Sequence, residues 1–539
     1  MRLLSLVLSV ILGWTTFAGS SSRSNSTEVK VWPPFSYSWM ENFGPPGTRV
    51  FTPVTFETYR ICKYILRDKE YSINVKAFDR SGTLVWSFSE ALDRRLLFMI
   101  NALDYEGSPT IAGQMVFFTG TKKLYCLALD SGRLLWDFTY PVKETTDLAM
   151  VCPLAYGETG IAKIAVNVED KVYIHEALVG KVLKIAKNTG VQVPPLKLTG
   201  ESIICPVHLD VAGEPLVPLP KEALKHEGGF ASNKDMIVGY RPNSRWFAWK
   251  LDRRYNRWEK VWEIDDSAKV ESPFWSFRHA TMLEDRIIFA TPNKIVCVDY
   301  AGKEIWSHDS ELARWNQYVP VSGNVALVTC YTKSKVLQAY DVRDGLPYDP
   351  IELPVYIQAP PVPTDDGFMV MTTGGGLWAF KSSQPPKPEI EMAKSIKIYK
   401  GWTDYEFGFG VKNVGGSRMT FETKANDLVL ASMKRCNPNE TVSFRFTLSQ
   451  FKPDLKVTVE VDGDGGRESS ICYVTVTDTE PDRLDVNLDG RIDFADAFIV
   501  LMNIGKAATG KPWEISRRCD VDGDGAVTIL DFACFGVGK

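Results

Sequence analysis

Two acidic stretches near the C-terminal end have the residue types and spacing to hold a metal. Residues 485–496 read DVNLDGRIDFAD, and residues 520–531 read DVDGDGAVTILD. In both, oxygen-bearing side chains stand at positions 1, 3, 5, 9 and 12, and glycine stands at position 6. A hard cation such as Ca2+ takes roughly six to eight oxygens at about 2.3–2.6 Å, and the glycine permits the sharp turn that folds them inward. The first stretch offers Asp485, Asn487, Asp489 and Asp496, with the Arg491 carbonyl and a water held by Asp493. The second offers Asp520, Asp522, Asp524 and Asp531, with the Ala526 carbonyl and Thr528 in the matching places. The pattern therefore predicts two Ca2+ ions. Position 8 is apolar in both (Ile492, Val527), as expected where two such loops pair back to back.

An apolar-periodic stretch follows each loop and reads as a helix. A long helix entering the first loop is excluded, because Glu480-Pro481-Asp482 breaks one. Position 12 is Asp, where paired EF-hands usually carry Glu. Two loops of this kind, each followed by a helix, resemble the dockerin domain, over residues 483–539. The resemblance implies a module that folds around Ca2+ and binds a cohesin-domain protein. It places Phe494, Ala495, Ile529 and Leu530, at positions 10 and 11, where dockerins choose their partner. Phe498, Leu501 and Met502 in the first helix, with Phe532 and Phe535 in the second, complete the expected contact face; packing within the module is the alternative for all of them. Gly536 and Gly538 predict a last helix of little more than one turn.

The 539 residues suggest roughly two to four domains. A net charge of −4 with mixed signs offers no basic stripe for nucleic acid. Residues 1–18 read as a secretory signal: Arg2, an apolar run over 3–12, and the small-x-small site Thr16-Phe17-Ala18. That run is too short to span a membrane, and no later stretch is long enough. An exported, extracellular protein is expected, held at a cell surface through the dockerin-like end. Outside the cytoplasm disulfides persist, and Cys436–Cys472 and Cys519–Cys534 are the pairings expected within their segments. Cys62, Cys126, Cys152, Cys205, Cys297 and Cys330 stand in the central region, where buried free thiols are the alternative.

Residues 30–382 repeat weakly: an apolar strand, an Asp, a glycine turn, and a second strand entered through Trp. Copies run through Asp79, Gly82 and Trp86; Asp130, Gly132 and Trp136; Asp299, Gly302 and Trp306. Weaker ones lie at 172–180, 246–262 and 337–345, and the series closes on 376–380 without a partner strand. Hairpins of this kind cannot bury both faces alone and close into a ring of stacked sheets. The pattern of Asp, a glycine two or three residues later, and Trp four residues after the glycine resembles the PQQ-like β-propeller repeat and implies about seven blades, with six or eight as alternatives. Some such propellers are quinone-dependent dehydrogenases that set an adjacent cysteine pair beside the cofactor. No two cysteines here are adjacent, and no PQQ is expected.

The five histidines (His175, His208, His226, His279, His308) show no metal or protease spacing, and no GxSxG or Walker loop occurs. Catalytic residues are therefore not identified. Trp246, Trp249, Tyr255, Trp258 and Trp262 stand among Arg245, Arg253, Arg254 and Arg257, either as a surface for a glycan or protein ligand or as the core of a long hairpin. After the proline-rich linker at 381–388, short alternating strands over 389–478 read as an Ig-like sandwich. Its segment at 411–415 resembles CARDB-type adhesion modules. The fold class expected is multidomain and mainly β: propeller, sandwich, and a small helical Ca2+ module. The function expected is a secreted, non-catalytic binding or scaffold protein. A carbohydrate-active or quinone-dependent propeller enzyme on the same plug is the alternative.

Overall fold

The computed structural model describes residues 26–27, 30–45, 48–67, 71–91, 107–143, 148, 153–156, 163–187, 196–198, 202–205, 207–210, 230–233, 236–241, 245–255, 257–265, 280–291, 294–310, 319–329, 335–357, 359–449, 451–452, 455–480, 482–488, 491–510 and 514–535. The signal segment 1–18 lies outside them, as do Asp489, Cys152, Cys330, His226, His279, Gly536 and Gly538. So do the side chains of Cys205 and His208. The chain divides into two compact units, Met1–Ser383 and Gln384–Lys539.

The first unit is built from antiparallel meanders, because each run of alternating apolar residues ends in a turn that reverses the chain. Asp79 shows how. Its carboxylate accepts the N–H groups of Ser81 and Thr83, at 2.8 and 2.9 Å, and Asp299 does the same for Ala301 and Lys303. Eight sheets form in chain order among the described residues. The first centres on Tyr59–Arg67 and Tyr71–Phe78, and the eighth runs from Val362–Thr364 to Gly376–Lys381. The opening strand of the eighth lies beside the opening strand of the first, which closes a β-propeller. The repeat predicts about seven blades, with six or eight as alternatives, and the described residues form eight. The additional blade is the fourth, with strands Leu196–Leu198, Ser202–Cys205 and Val207–Asp210, whose turns carry no Asp-Gly-Trp signature.

The partner strand absent after residue 380 comes from the other end of the unit. Ser36–Asn42 pairs antiparallel with Gly376–Lys381, from Ser36 opposite Lys381 to Asn42 opposite Gly376. Trp39 on this strand takes the place of the repeat tryptophan. Its indole N–H donates to the Arg80 carbonyl at 3.0 Å, and its ring covers Gly82 of the first blade. The same step recurs around the ring. Trp86 donates to Leu129 and covers Gly132, Trp136 donates to Ala177 and covers Gly180, and Trp306 donates to Val342 and covers Gly345. A Cβ on Gly132 would stand 2.6 Å from the Trp86 ring, so only glycine admits the indole there. Buried Arg60 of the first blade pairs with Asp365 and Asp366 of the eighth and completes the seam.

In the second unit a three-stranded sheet (Pro388–Glu391, Tyr405–Asn413, Thr441–Leu448) faces a five-stranded one. Phe407, Phe409 and Phe444 from the first share a core with Phe421, Val457 and Val459 from the second, so the two sheets form a sandwich. Residues 462–467 make a hairpin turn, with Gly463 opposite Gly466. Past the sandwich lie three short helices: α1 (Phe494–Asn503), α2 (Ile515–Arg518) and α3 (Ile529–Ala533). Among the described residues no helix is long and apolar enough to cross a membrane.

The expected disulfides are not present; Cys436, Cys472, Cys519 and Cys534 are free thiols. Cys436 and Cys472 lie on strands separated by two others in the same sheet. Neighbouring strands stand about 4.8 Å apart, so the gap far exceeds the roughly 7 Å a disulfide can bridge. Cys519 and Cys534 belong to one apolar cluster, with their sulfurs directed to the Ile499 and Leu530 carbonyls. Cys62, Cys126 and Cys297 are fully buried thiols, and burial pushes Cys126 and Cys297 up to about 12.

If the N-terminal strand closes the ring, Trp39→Ala removes a half-buried indole and its hydrogen bond. A loss of about 2 kcal/mol is expected, less than for a fully buried Trp, read as a lower midpoint in denaturant unfolding of the propeller.

Candidate metal centre

The two acidic loops fold on one plan. In the first, the Asn487 and Asp493 N–H groups (positions 3 and 9) each donate to the Asp496 carboxylate at 3.0 Å. In the second, the Asp522 and Thr528 N–H groups donate to Asp531 at 3.1 and 2.7 Å. Position 12 is thus fully buried in both loops and ties the ends of each together. Position 9 also caps the helix that follows. Asp493 accepts from Ala495 N–H ahead of α1, and Thr528 accepts from Leu530 N–H ahead of α3. Each cap is a complete capping box with the position-12 Asp as its second half. One residue spacing therefore builds a loop and starts a helix.

In the second loop the carboxylate oxygens of Asp520, Asp522 and Asp524 lie within 4.8 Å of one another. Oxygens bound to one ion at about 2.3–2.6 Å can be no more than about 5 Å apart, so this cluster fits Ca2+. Asp520 is 6% exposed, and its Oδ1 is buried without a hydrogen-bond partner, while Oδ2 accepts the Gly525 N–H at 3.1 Å. A buried carboxylate oxygen is costly unless something positive meets it. The electrostatics agree. The N–H bond from Asp524 would lower Asp522, but desolvation and the charges of Asp531, Asp524 and Asp520 outweigh it and raise its carboxyl. Burial would raise Asp531, yet the N–H groups of Thr528, Asp522 and Val521 and the Thr528 hydroxyl hold it below the usual range.

Loop one repeats the frame, with Asp485 and Asp496 buried, Asn487 half-buried, and Arg491 and Asp493 exposed. The expected back-to-back contact of Ile492 with Val527 does not form. Val527 pairs instead with the chain after α1, accepting the Gly505 N–H at 2.8 Å and donating to Lys506 at 2.9 Å, while Ile492 is exposed.

The apolar residues sort into two sets. Phe494, Phe498, Leu501 and Met502 fall at i, i+4, i+7 and i+8 on α1 and are all exposed, Phe494 at 78%. Ile529 and Leu530 at the start of α3 are both 61% exposed, and Ala495 is exposed as well. Phe532 and Phe535 leave the predicted contact face: they pack on Val486, Val500, Cys519, Val521 and Val527 as the core of the module. Their inward turn follows from α3 ending at Ala533, which leaves the small core no other aromatic.

The propeller's other candidates resolve as structure. Trp246 and Trp262 are buried in the core of the fifth blade, Trp249 and Trp258 are half-buried, and Tyr255 stands exposed between Arg254 and Arg257. His175 is fully buried between the Tyr140 hydroxyl and the Gly180 carbonyl, each at 3.0 Å, and burial lowers its pKa. His308 stacks near Trp306 and Tyr340 in another blade. Neither belongs to a catalytic set among the described residues.

Residues 483–535 match the family model of the dockerin type I domain. No sequence among the curated proteins matches the chain. Among the solved structures that resemble it in fold are two propellers of natural proteins. One is BamB from Moraxella catarrhalis, at 12% identity and a TM-score of 0.44, over 65% of this chain and 98% of that one. The other is quinohemoprotein alcohol dehydrogenase from Comamonas testosteroni, at 12% identity and a TM-score of 0.49, over 70% of this chain and 82% of that one.

Asp531→Ala removes a candidate ligand, three hydrogen bonds and half of the α3 cap. Calorimetric titration should show Ca2+ affinity at the second loop weakened by about two orders of magnitude, with the first loop still binding.

Proposed function

We propose that this chain is a secreted, non-catalytic binding or scaffold protein whose C-terminal module docks on a cohesin-bearing partner in the presence of Ca2+. The observation that carries the reading is the exposed apolar stripe of α1, together with Ile529 and Leu530, set on helices that begin inside the two acidic loops. A stripe of this kind is costly in water and is explained by a partner that covers it. The dockerin type I match over the same residues supports cohesin as that partner.

Ca2+ enters as the ion that cancels the repulsion among the clustered carboxylates, so that binding and folding of the module share one free energy. Two ions are proposed. The first is held by Asp485, Asn487, Asp489, Asp493, Asp496 and the Arg491 carbonyl. The second is held by Asp520, Asp522, Asp524, Thr528, Asp531 and the Ala526 carbonyl. The chain's own residues do the rest: position 12 gathers the loop, position 9 starts the helix, and the helix presents its apolar side. The sandwich, read as an Ig-like spacer of CARDB type, lies in the chain after the propeller and before this plug, and the propeller is the body that would be held at a cell surface or in an extracellular complex.

Phe498→Asp with Met502→Asp alters the stripe at two exposed positions outside both twelve-residue loops. Capture of a cohesin-domain protein should weaken by more than about 100-fold, with Ca2+ titration unchanged. EGTA should release the wild-type complex. Equal capture by the double variant would remove the apolar stripe from the docking surface.

A further inference from the structure

The two loops agree at every shared hydrogen bond and part company at position 4. In the second loop that residue is Gly523, with φ +80°. In the first it is Leu488, which holds the same left-handed backbone at φ +63°. Glycine takes this conformation freely, whereas leucine does so only where its surroundings hold it there. Those surroundings are the sandwich. Leu488 is 2% exposed and lies in the sandwich core with Ile396, Ile398, Phe407, Cys472 and Val474.

Two further contacts tie loop one to its neighbours. The Leu488 carbonyl accepts the Lys397 N–H at 3.1 Å. Lys397 lies on Ser395–Tyr399, the edge strand of the five-stranded sheet, so the loop occupies an edge that would otherwise be open. On the other side, Arg518 is buried at the end of α2. Its guanidinium donates to the carbonyls of Val486 at 3.2 Å, Asp482 at 3.0 Å, and Asp485. Arg518 therefore clamps positions 1 and 2 of loop one from the side of loop two, while the sandwich holds position 4.

We propose that the first loop is a joint as well as an ion site: Asn487, tied to Asp496, adjoins Leu488 seated in the sandwich, so that filling the loop with Ca2+ locks the sandwich edge strand to the terminal module. The inference rests on the Ca2+ reading of the loops and is independent of the partner. It makes sandwich and module one cooperative element when loaded, and it assigns Leu488 as the residue that couples them.

Hydrogen exchange on the full chain, with and without Ca2+, tests this, alongside a Ca2+ titration. At free Ca2+ one hundred times the dissociation constant, exchange at Lys397 should slow by up to about 100-fold, because opening that edge requires releasing the loaded loop. In Leu488→Gly, which keeps the backbone that Gly523 adopts, titration should persist and the protection of Ser395–Tyr399 should become insensitive to Ca2+. Leu488→Asn serves if the glycine variant does not fold, since Asn also tolerates the left-handed region. Ca2+ binding with unchanged exchange at Lys397 in the wild type would overturn the coupling and leave the docking proposal standing. Failure to bind Ca2+ at all would overturn both.

Discussion

The ring depends on one contact repeated between neighbours: an indole lying where the next blade's turn would otherwise carry a side chain. The contact is specific on both sides. The Trp136 indole N–H is met by the Ala177 carbonyl, and the turn needs a glycine, because a Cβ at Gly180 would stand 2.6 Å from the Trp136 ring; Trp262 covers Gly302 without such an acceptor. Each pair joins two sheets that share no backbone hydrogen bond among the described residues. Register within a blade comes from the ladder, and register between blades comes from tryptophan. That is why the strand Ser36–Asn42 carries Trp39: a strand that completed the last ladder without an indole would leave Gly82 of the first blade uncovered.

This division explains what could be read from the chain beforehand. Asp, Gly and Trp at fixed offsets are a local signal, so seven blades left a trace in the residues. The fourth blade has short strands and no such trio, so its local hairpins over 196–210 left no repeat signature to read. The closing strand was hidden for a related reason. Nothing within residues 36–42 says that their partner lies at 376–381, since that pairing is settled by the circumference of the ring. The cysteines misled because even counts per segment suggested pairing. Cys436 and Cys472 are apolar wall residues on strands with two others between them, and their spacing in the chain carries no information about that.

The acidic loops were legible in more detail, because a metal loop is defined by spacing along a dozen residues. What spacing did not reveal was the double duty of positions 9 and 12, which cap a helix while closing the loop. Nor did it separate Phe494 and Phe498 from Phe532 and Phe535. All four are aromatic and all four follow a loop. The split arises because α1 runs for ten residues and can present one side outward while Ala497 and Val500 face in. With α3 limited to five residues, Phe532 within it and Phe535 just past its end both pack on the core.

Loops of nearly equal sequence need not have equal tasks. A non-glycine residue in the left-handed region costs about 1–2 kcal/mol, and burial of a leucine side chain returns about 1.5–3 kcal/mol. Position 4 of loop one is therefore tolerable only while Leu488 stays in the sandwich, whereas position 4 of loop two has no such dependence because Gly523 carries no strain. The first loop is held in shape from outside and the second from within. Such asymmetry gives each half a separate role: loop two organises α3 and its exposed Ile529 and Leu530, and loop one fixes how that face is mounted on the sandwich that carries it.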